Sequence, residues 1–294
     1  MNPQFVSSVC ESVFSQTPKS IHRFSTGTGN YVFRVVLDTA DFVFRCGTQS
    51  YDNTIRYLTA LQELEIPVSQ VVAHGRQDGL YYMIAAYIDG QELGDVYPSL
   101  SDTVKRTIAK EVIQIQDRVS KLPINSSGTW TQWVRSMLDR ARTRITANGF
   151  FAPESVDRLV PITLELQSYF ETFPRLPYLD DITTKNLLIH NGHVSGIIDV
   201  DWLECGDRLT FAALTNMALL NLEYDTDYVE YLLEYLHISP MQRRAFQFYS
   251  LMFCVDFMGE RGTTFLGRTV PVDSTIIERL NRIYGQLWDQ YKQC

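Results

Sequence analysis

Residues 178–202 read Y-L-D-D-I-T-T-K-N-L-L-I-H-N-G-H-V-S-G-I-I-D-V-D-W. Asn186 opens an apolar run, Leu187 to Ile189, that has the length and composition of a short strand. The turn His190-Asn191-Gly192-His193 follows, and a second run, Val194 to Ile198, returns and delivers Asp199. The pattern predicts a hairpin with Asn186 and Asp199 at one end and Asp181 on the loop leading in. Three oxygen-bearing side chains then converge.

Those side-chain types suit one chemistry. A magnesium ion takes hard oxygen ligands, and one carboxylate with one amide leaves positions for nucleotide phosphates and water. Asn186 and Asp199 fit that task, and Asp181, off the metal, fits the acceptance of a proton from an attacking hydroxyl. The spacing D-x-x-x-x-N with a strand-borne Asp beyond it is that of a kinase catalytic loop. Taken singly the residues allow a plainer account, in which Asp180 and Asp181 cap a turn, Asn186 is a loop residue and Asp199 ends a strand. The plainer account requires the three placements to coincide without cause.

On Asp181, Asn186, Ile198-Asp199 and Gly206-Asp207 the chain resembles the aminoglycoside phosphotransferase and choline kinase-like family of small-molecule kinases. The resemblance covers residues 20 to 225. It implies an α+β, two-lobe protein-kinase-like fold, with an N-terminal antiparallel sheet lobe (residues 1–87) that binds nucleotide and a larger helical lobe (88–294). The family's usual string is H-G-D-x-x-x-x-N, and here Leu179 and Asp180 stand in place of the His and the Gly. That His supports the loop, so its absence bears on loop geometry. A second carboxylate at 180 would raise the pKa of its neighbour if both are buried.

The chain's 294 residues, 45% apolar and 20% charged, describe an ordinary globular protein with room for two lobes. Its five scattered cysteines make no C-x-x-C pair, which favours a reduced, cytoplasmic setting, and the N-terminus lacks the basic start and apolar core of a signal peptide. No apolar stretch is long enough to suggest a membrane span. A net charge of −8 argues against a nucleic-acid partner. Between Asp199 and Tyr235 lie nine acids and a single base, Arg208. Such a field would concentrate a cationic acceptor, although the stretch Glu223 to Glu234, taken alone, reads more simply as a solvated helix face and its caps.

Taken in order, residues 3 to 16 have helical spacing, Ser20 to Phe24 reads as a strand, and Tyr31 to Leu37 alternates. Between them Ser25, Thr26, Gly27, Thr28, Gly29 and Asn30 form a turn whose backbone N–H groups and hydroxyls could close over nucleotide phosphates. Asp41 to Cys46 predicts a strand carrying Arg45. The resemblance makes Arg45 the cation that holds the phosphates, while the residues alone also allow an edge-strand arginine facing water.

Helix residues Asp52 to Leu64 come next, with Asp52 as cap. The family places a Glu on this helix to pair with the strand cation, and position 54 is Thr. After two more strands, Val71–Ala73 and Leu80–Ala86, the segment Ile88-Asp89-Gly90-Gln91-Glu92-Leu93 resembles the family's inter-lobe hinge. Ala86 and Ile88 would there meet adenine through backbone groups.

Helical spacing then predicts helices over Thr103–Lys121, Trp130–Ala147, Pro153–Phe173, Leu209–Leu222, Asp227–His237, Pro240–Met258 and Ser274–Tyr291. Strands first and helices after indicate an α+β plan. Asp207 reads as a support of the catalytic loop or as a helix cap. Asp256 interrupts an apolar run, where a carboxylate needs a partner. With Glu260 one turn on it either faces the acceptor or forms a buried structural pair.

The expectation is a transferase moving the γ-phosphoryl group of ATP or GTP, with Mg²⁺, to a hydroxyl of a small cationic molecule such as an aminoglycoside. Choline, homoserine, macrolides and sugar amines are acceptors the same motifs serve. Asp201, Glu204, Asp256 and Glu260 are the candidate acceptor contacts. A second class of reading, on Leu179, Asp180 and Thr54, is a nucleotide-binding regulator without turnover.

Overall fold

A computed structural model describes residues 3–24, 31–124, 128–201, 203–265 and 268–294. The chain divides into two compact units. The first comprises Met1–Gly90 together with Ser195–Trp202, and the second comprises Gln91–Val194 with Leu203–Cys294. The expected boundary at residue 87 made no provision for 195–202 in the first unit.

In the first unit, helix α1 (Pro3–Phe14) precedes strands β1 (Ser20–Arg23), β2 (Tyr31–Val36) and β3 (Asp41–Gly47). Helix α2 (Asp52–Glu63) and strands β4 (Val71–Gln77) and β5 (Leu80–Ala86) follow. The sheet is antiparallel, in the order β1-β2-β3-β5-β4. Strict alternation on β3 buries Phe42, Phe44 and Cys46. They pack with Phe33, Val35 and Ile84 against Val6, Val9 and Cys10 of α1. Period two therefore turns Arg45 to the opposite face of an interior strand, paired with Val32 on one side and Met83 on the other. It is no edge residue. Asp52 lies in the first turn of α2, and the cap position is Tyr51, so the cap is one residue earlier than expected.

The second unit starts with β6 (Gln91–Glu92), α3 (Leu93–Val96), α4 (Asp102–Val119) and α5 (Trp130–Asn148). Ser101 caps α4 through its side chain, and a reciprocal Thr129/Gln132 capping box opens α5. The single helix expected over Pro153–Phe173 is three short ones, α6 (Glu154–Asp157), α7 (Val160–Glu165) and α8 (Gln167–Thr172). Pro161 lies in the first turn of α7, and without an N–H it cannot continue a helix from α6. Short strand β7 (Leu176–Tyr178) leads to the hairpin β8 (Leu187–His190) and β9 (His193–Ile197), turned by Asn191 and Gly192 at φ 51° and 79°, with the chain passing back to the first unit at Ser195 within β9. Strands β6, β8 and β9 hydrogen-bond in that order.

Strand β10 (Glu204–Gly206) then pairs antiparallel with β7, Glu204 opposite Tyr178 and Gly206 opposite Leu176. The remaining elements are α9 (Leu209–Asn221), α10 (Asp227–Tyr235), α11 (Pro240–Glu260), the small hairpin β11 (Thr264–Phe265) and β12 (Arg268–Thr269), and α12 (Ser274–Gln293). Helix α11 packs against α5, α9 and α12 and is buried along most of its length from Ala245 onward. Trp130, at the start of α5, is 2% exposed, stacks on Trp133 with centroids 4.3 Å apart and donates its Nε1 proton to Tyr249. Among the described residues no helix is long and apolar enough to cross a membrane.

Candidate active site

In the first unit the site residues gather on the face of β3 away from α1. The Arg45 guanidinium forms two parallel bonds with Asp201, Nη1 to Oδ1 at 3.0 Å and Nη2 to Oδ2 at 2.6 Å. Asp199 Oδ1 lies 4.0 Å from the same Nη2. The Thr54 hydroxyl, on the first turn of α2, donates to Asp201 Oδ1 at 2.9 Å. Burial opposes the Arg45 charge, but the hydrogen bonds to Asp201 and its negative charge outweigh it, and the guanidinium pKa is raised.

Asp199 sits at φ 59°, left-handed backbone that a non-glycine residue adopts only when its surroundings hold it there. Those surroundings include the Ile197 N–H donated to the Pro67 carbonyl and a parallel bridge between Val68 and Ile197. Asp201, expected to meet the acceptor, is instead committed to Arg45 and Thr54. The Ala86 N–H donates to Gln70 O, so a base could reach Ala86 only through its carbonyl oxygen. Ile88 lies over Gly196 so closely that a Cβ there would be 2.6 Å from Ile88 Cγ2. Ser25, Thr26, Gly27, Thr28, Gly29 and Asn30 lie outside the described residues.

In the second unit, Asp181 stands exposed at the head of the loop before β8. The Thr183 hydroxyl donates to its Oδ1 at 2.9 Å, and Asn186 Nδ2 donates to its carbonyl oxygen at 2.9 Å. That second bond closes the six-residue loop and fixes which way the buried Asn186 amide faces, nitrogen toward the loop and Oδ1 away from it. Immediately before Asp180, Leu179 is held by Gln116 of α4: Nε2 donates to the Leu179 carbonyl at 2.8 Å and Oε1 accepts the Leu179 N–H at 3.0 Å. Gln116 is wholly buried. Its role was not foreseen, since nothing local marks a glutamine on one helix as the partner of a peptide 63 residues away.

Burial, and then the charges of Glu204 and Asp181, push the Asp180 carboxyl up to about 7. Burial also raises Glu204. Of the two roles expected of Asp207, the bonding to the start of α9 is that of a helix cap, Oδ1 accepting the Leu209 N–H, and its second oxygen, Oδ2, is held by the hydroxyls of Tyr169 and Tyr249. Burial raises its pKa against the pull of those donors. Gly206 is required beside it, because a Cβ there would fall 1.9 Å from Cζ3 of Trp130.

Asp256 and Glu260 are occupied elsewhere. Asp256 bonds Arg140 Nη2 through both oxygens at 3.2 Å and has Arg144 at 3.6 Å, while Glu260 lies 3.8 Å from Arg144. Both therefore have arginine partners, as the structural-pair alternative of the two expected for them requires. Of the four acidic acceptor candidates, Glu204 alone keeps company with carboxylates and not with an arginine. Among the described residues no group of three or more His, Cys, Asp or Glu side chains is arranged to hold a metal.

Three comparisons with known proteins bear on this site. Aminoglycoside phosphotransferase APH(4)-Ia superposes with a TM-score of 0.67 at 15% identity, over 99% of each chain. A thermostable mutant of it, in ternary complex with ADP and hygromycin B, gives 0.67 at 16% over 98% of each. The streptomycin-ATP-APH(2")-IIa ternary complex gives 0.61 at 13%, over 99% of this chain and 98% of that one. At such identities the likeness concerns the fold, and the chain has the expected α+β, two-lobe protein-kinase-like fold. No curated protein matches it by sequence. The model of the phosphotransferase enzyme family, however, matches residues 20–244, and the chain belongs to that family.

Proposed function

We propose that the protein transfers the γ-phosphoryl group of ATP or GTP to a hydroxyl of a small cationic molecule, an aminoglycoside being the type. The observation that carries this reading is the loop 181–186. Its carboxylate is presented at an exposed head, and one buried amide closes the turn with its nitrogen and leaves its oxygen directed away from the loop. Asp181 would accept the hydroxyl's proton and orient the attack. Asn186 and Asp199 are the proposed ligands of Mg²⁺. Both offer the hard oxygen such an ion takes, and the Asn186 hydrogen bond leaves its oxygen, not its nitrogen, for the metal. Bound there, the ion would neutralise charge on the phosphates.

Arg45 would hold phosphate oxygens, and Ala86 and Ile88 would border the base. The first lobe is the proposed nucleotide binder, with the Ser- and Gly-bearing sequence 25–30 as its proposed phosphate-covering segment. The cationic class of acceptor is supported by Asp180 and Glu204: burial and then the Glu204 charge raise Asp180 beside Asp181, burial raises Glu204, and no cation is among the causes. The structures in which related folds hold hygromycin B or streptomycin are consistent with it.

The test is consumption of ATP or GTP across a panel of amino-sugar antibiotics, choline, homoserine and macrolides, with binding of a non-hydrolysable nucleotide measured alongside. Turnover on one acceptor, lost in Asp181→Asn while nucleotide still binds, is the expected result. Nucleotide binding with no turnover on any acceptor would overturn the enzymatic reading in favour of a regulator.

A further inference from the structure

We infer that Asp201 is the positioning residue of Arg45 and does the work that the family's plan gives to a carboxylate on helix α2, at position 54. The inference rests on the reading of Arg45 as the phosphate-holding cation.

A guanidinium on a strand has a long, flexible stem, and to bind a phosphate in one geometry its plane must be fixed from behind. Thr54 cannot do this by charge, since its hydroxyl is neutral and its side chain is short. Asp201 can. Both carboxylate oxygens meet the fork of Arg45, at 3.0 and 2.6 Å, in the paired geometry that sets orientation as well as distance. Arg45 is 14% and Asp201 24% exposed, so the pair is shielded enough to be directional and wet enough to avoid the full desolvation penalty.

Thr54 is not a bystander in this arrangement. Buried on the first turn of α2, it donates to Asp201 Oδ1 and so holds the carboxylate that holds the arginine. The position that elsewhere supplies the acid here supplies the hydroxyl that orients the acid. The segment bearing Asp201 is itself tied to the exit of α2, through Ile197 to Pro67 and Val68. Two residues before Asp201 stands Asp199, with Oδ1 4.0 Å from Arg45. One short stretch, D-V-D, therefore carries both the proposed metal ligand and the residue that positions the proposed phosphate clamp.

The experiment measures affinity for Mg²⁺ with a non-hydrolysable ATP analogue, and the KM for ATP and for the acceptor, in Arg45→Ala, Asp201→Asn and the double variant Asp201→Asn with Thr54→Glu. Thermal melting of each reports folding. Expected are losses of about tenfold to a hundredfold in nucleotide affinity for Arg45→Ala and Asp201→Asn, the size of a lost charge-assisted contact. The acceptor KM should stay level, and the double variant should recover most of the loss, because a glutamate at 54 restores a carboxylate behind the guanidinium. Unchanged binding in Arg45→Ala would remove the reading of Arg45 itself. A loss in Arg45→Ala with none in Asp201→Asn would leave that reading standing and overturn only the positioning role. Failure of Thr54→Glu to rescue a folded Asp201→Asn would show that the two positions are not alternatives.

Discussion

The two units each hold a critical group from behind, and they do it by opposite means. In the first, Arg45 is gripped by the charge of Asp201, at a place where both side chains keep some contact with solvent. In the second, the peptide at Leu179 is gripped by the neutral amide of Gln116, at a place with no solvent at all. The difference follows from dryness. An ion pair in a fully buried site gives back much of its attraction as desolvation, whereas an amide that offers one donor and one acceptor matches a peptide's two polar groups without that cost. Each anchor is at or next to a position where the sequence departs from the pattern it resembles, Thr54 beside Asp201 and Leu179 held by Gln116.

The strongest way to break this comparison is to remove what the second anchor serves. Asp181→Asn should lower transfer by about 10²–10⁴-fold while nucleotide affinity holds, as read by steady-state turnover beside equilibrium binding. The next effect tests the amide clamp. Gln116→Leu leaves the Leu179 N–H and carbonyl without their partner in a dry site, and should cost about 2–4 kcal/mol in denaturant unfolding. In the folded fraction kcat should fall with nucleotide affinity unchanged, the reverse of the Asp201→Asn profile.

A third test is of pH. The Asp180 carboxyl, ordinarily near 4, is lifted to about 7 in the fold. Below pH 4 it is protonated folded or unfolded. Between 4 and 7 the native chain keeps a proton that the unfolded chain has lost, so stability is full on the acid side and is lost as pH rises toward 7. The slope from this group is at most about 1.4 kcal/mol per pH unit. Burial raises Glu204 as well, and its contribution runs in the same direction. Asp180→Asn should flatten the profile, checked by melting at a series of pH values. The mildest change sharpens the first anchor: Thr54→Val removes one hydrogen bond to Asp201, and nucleotide affinity should drop by roughly threefold to tenfold, measured by titration calorimetry.

Periodicity made most of the elements legible. Alternation located β3 and put Arg45 on the face away from Phe42 and Phe44, and Asn191-Gly192 announced its own turn through the positive φ that both adopt. The loop from Asp181 to Asn186 was legible because its chemistry lies within six residues. What escaped were pairings with no local trace. Arg45 and Asp201 are 156 positions apart, and Asp256 finds its arginine 116 positions back, on α5. An acid within an apolar helix signals that a partner exists and does not say whether the partner is substrate or protein. The strand pair β7 and β10 is too short to carry a period, and the break at Pro161 was overridden by apolar spacing on both sides.

The close approach of Trp130 to Gly206 has a spectroscopic consequence. Two indoles stacked at 4.3 Å and 14° couple their transitions, and the first of them is seated on a backbone with no room for even a methyl group. A library randomised at codon 206 could thus be sorted by near-ultraviolet circular dichroism, since any replacement for glycine would push the ring aside and erase the coupled Trp130–Trp133 band.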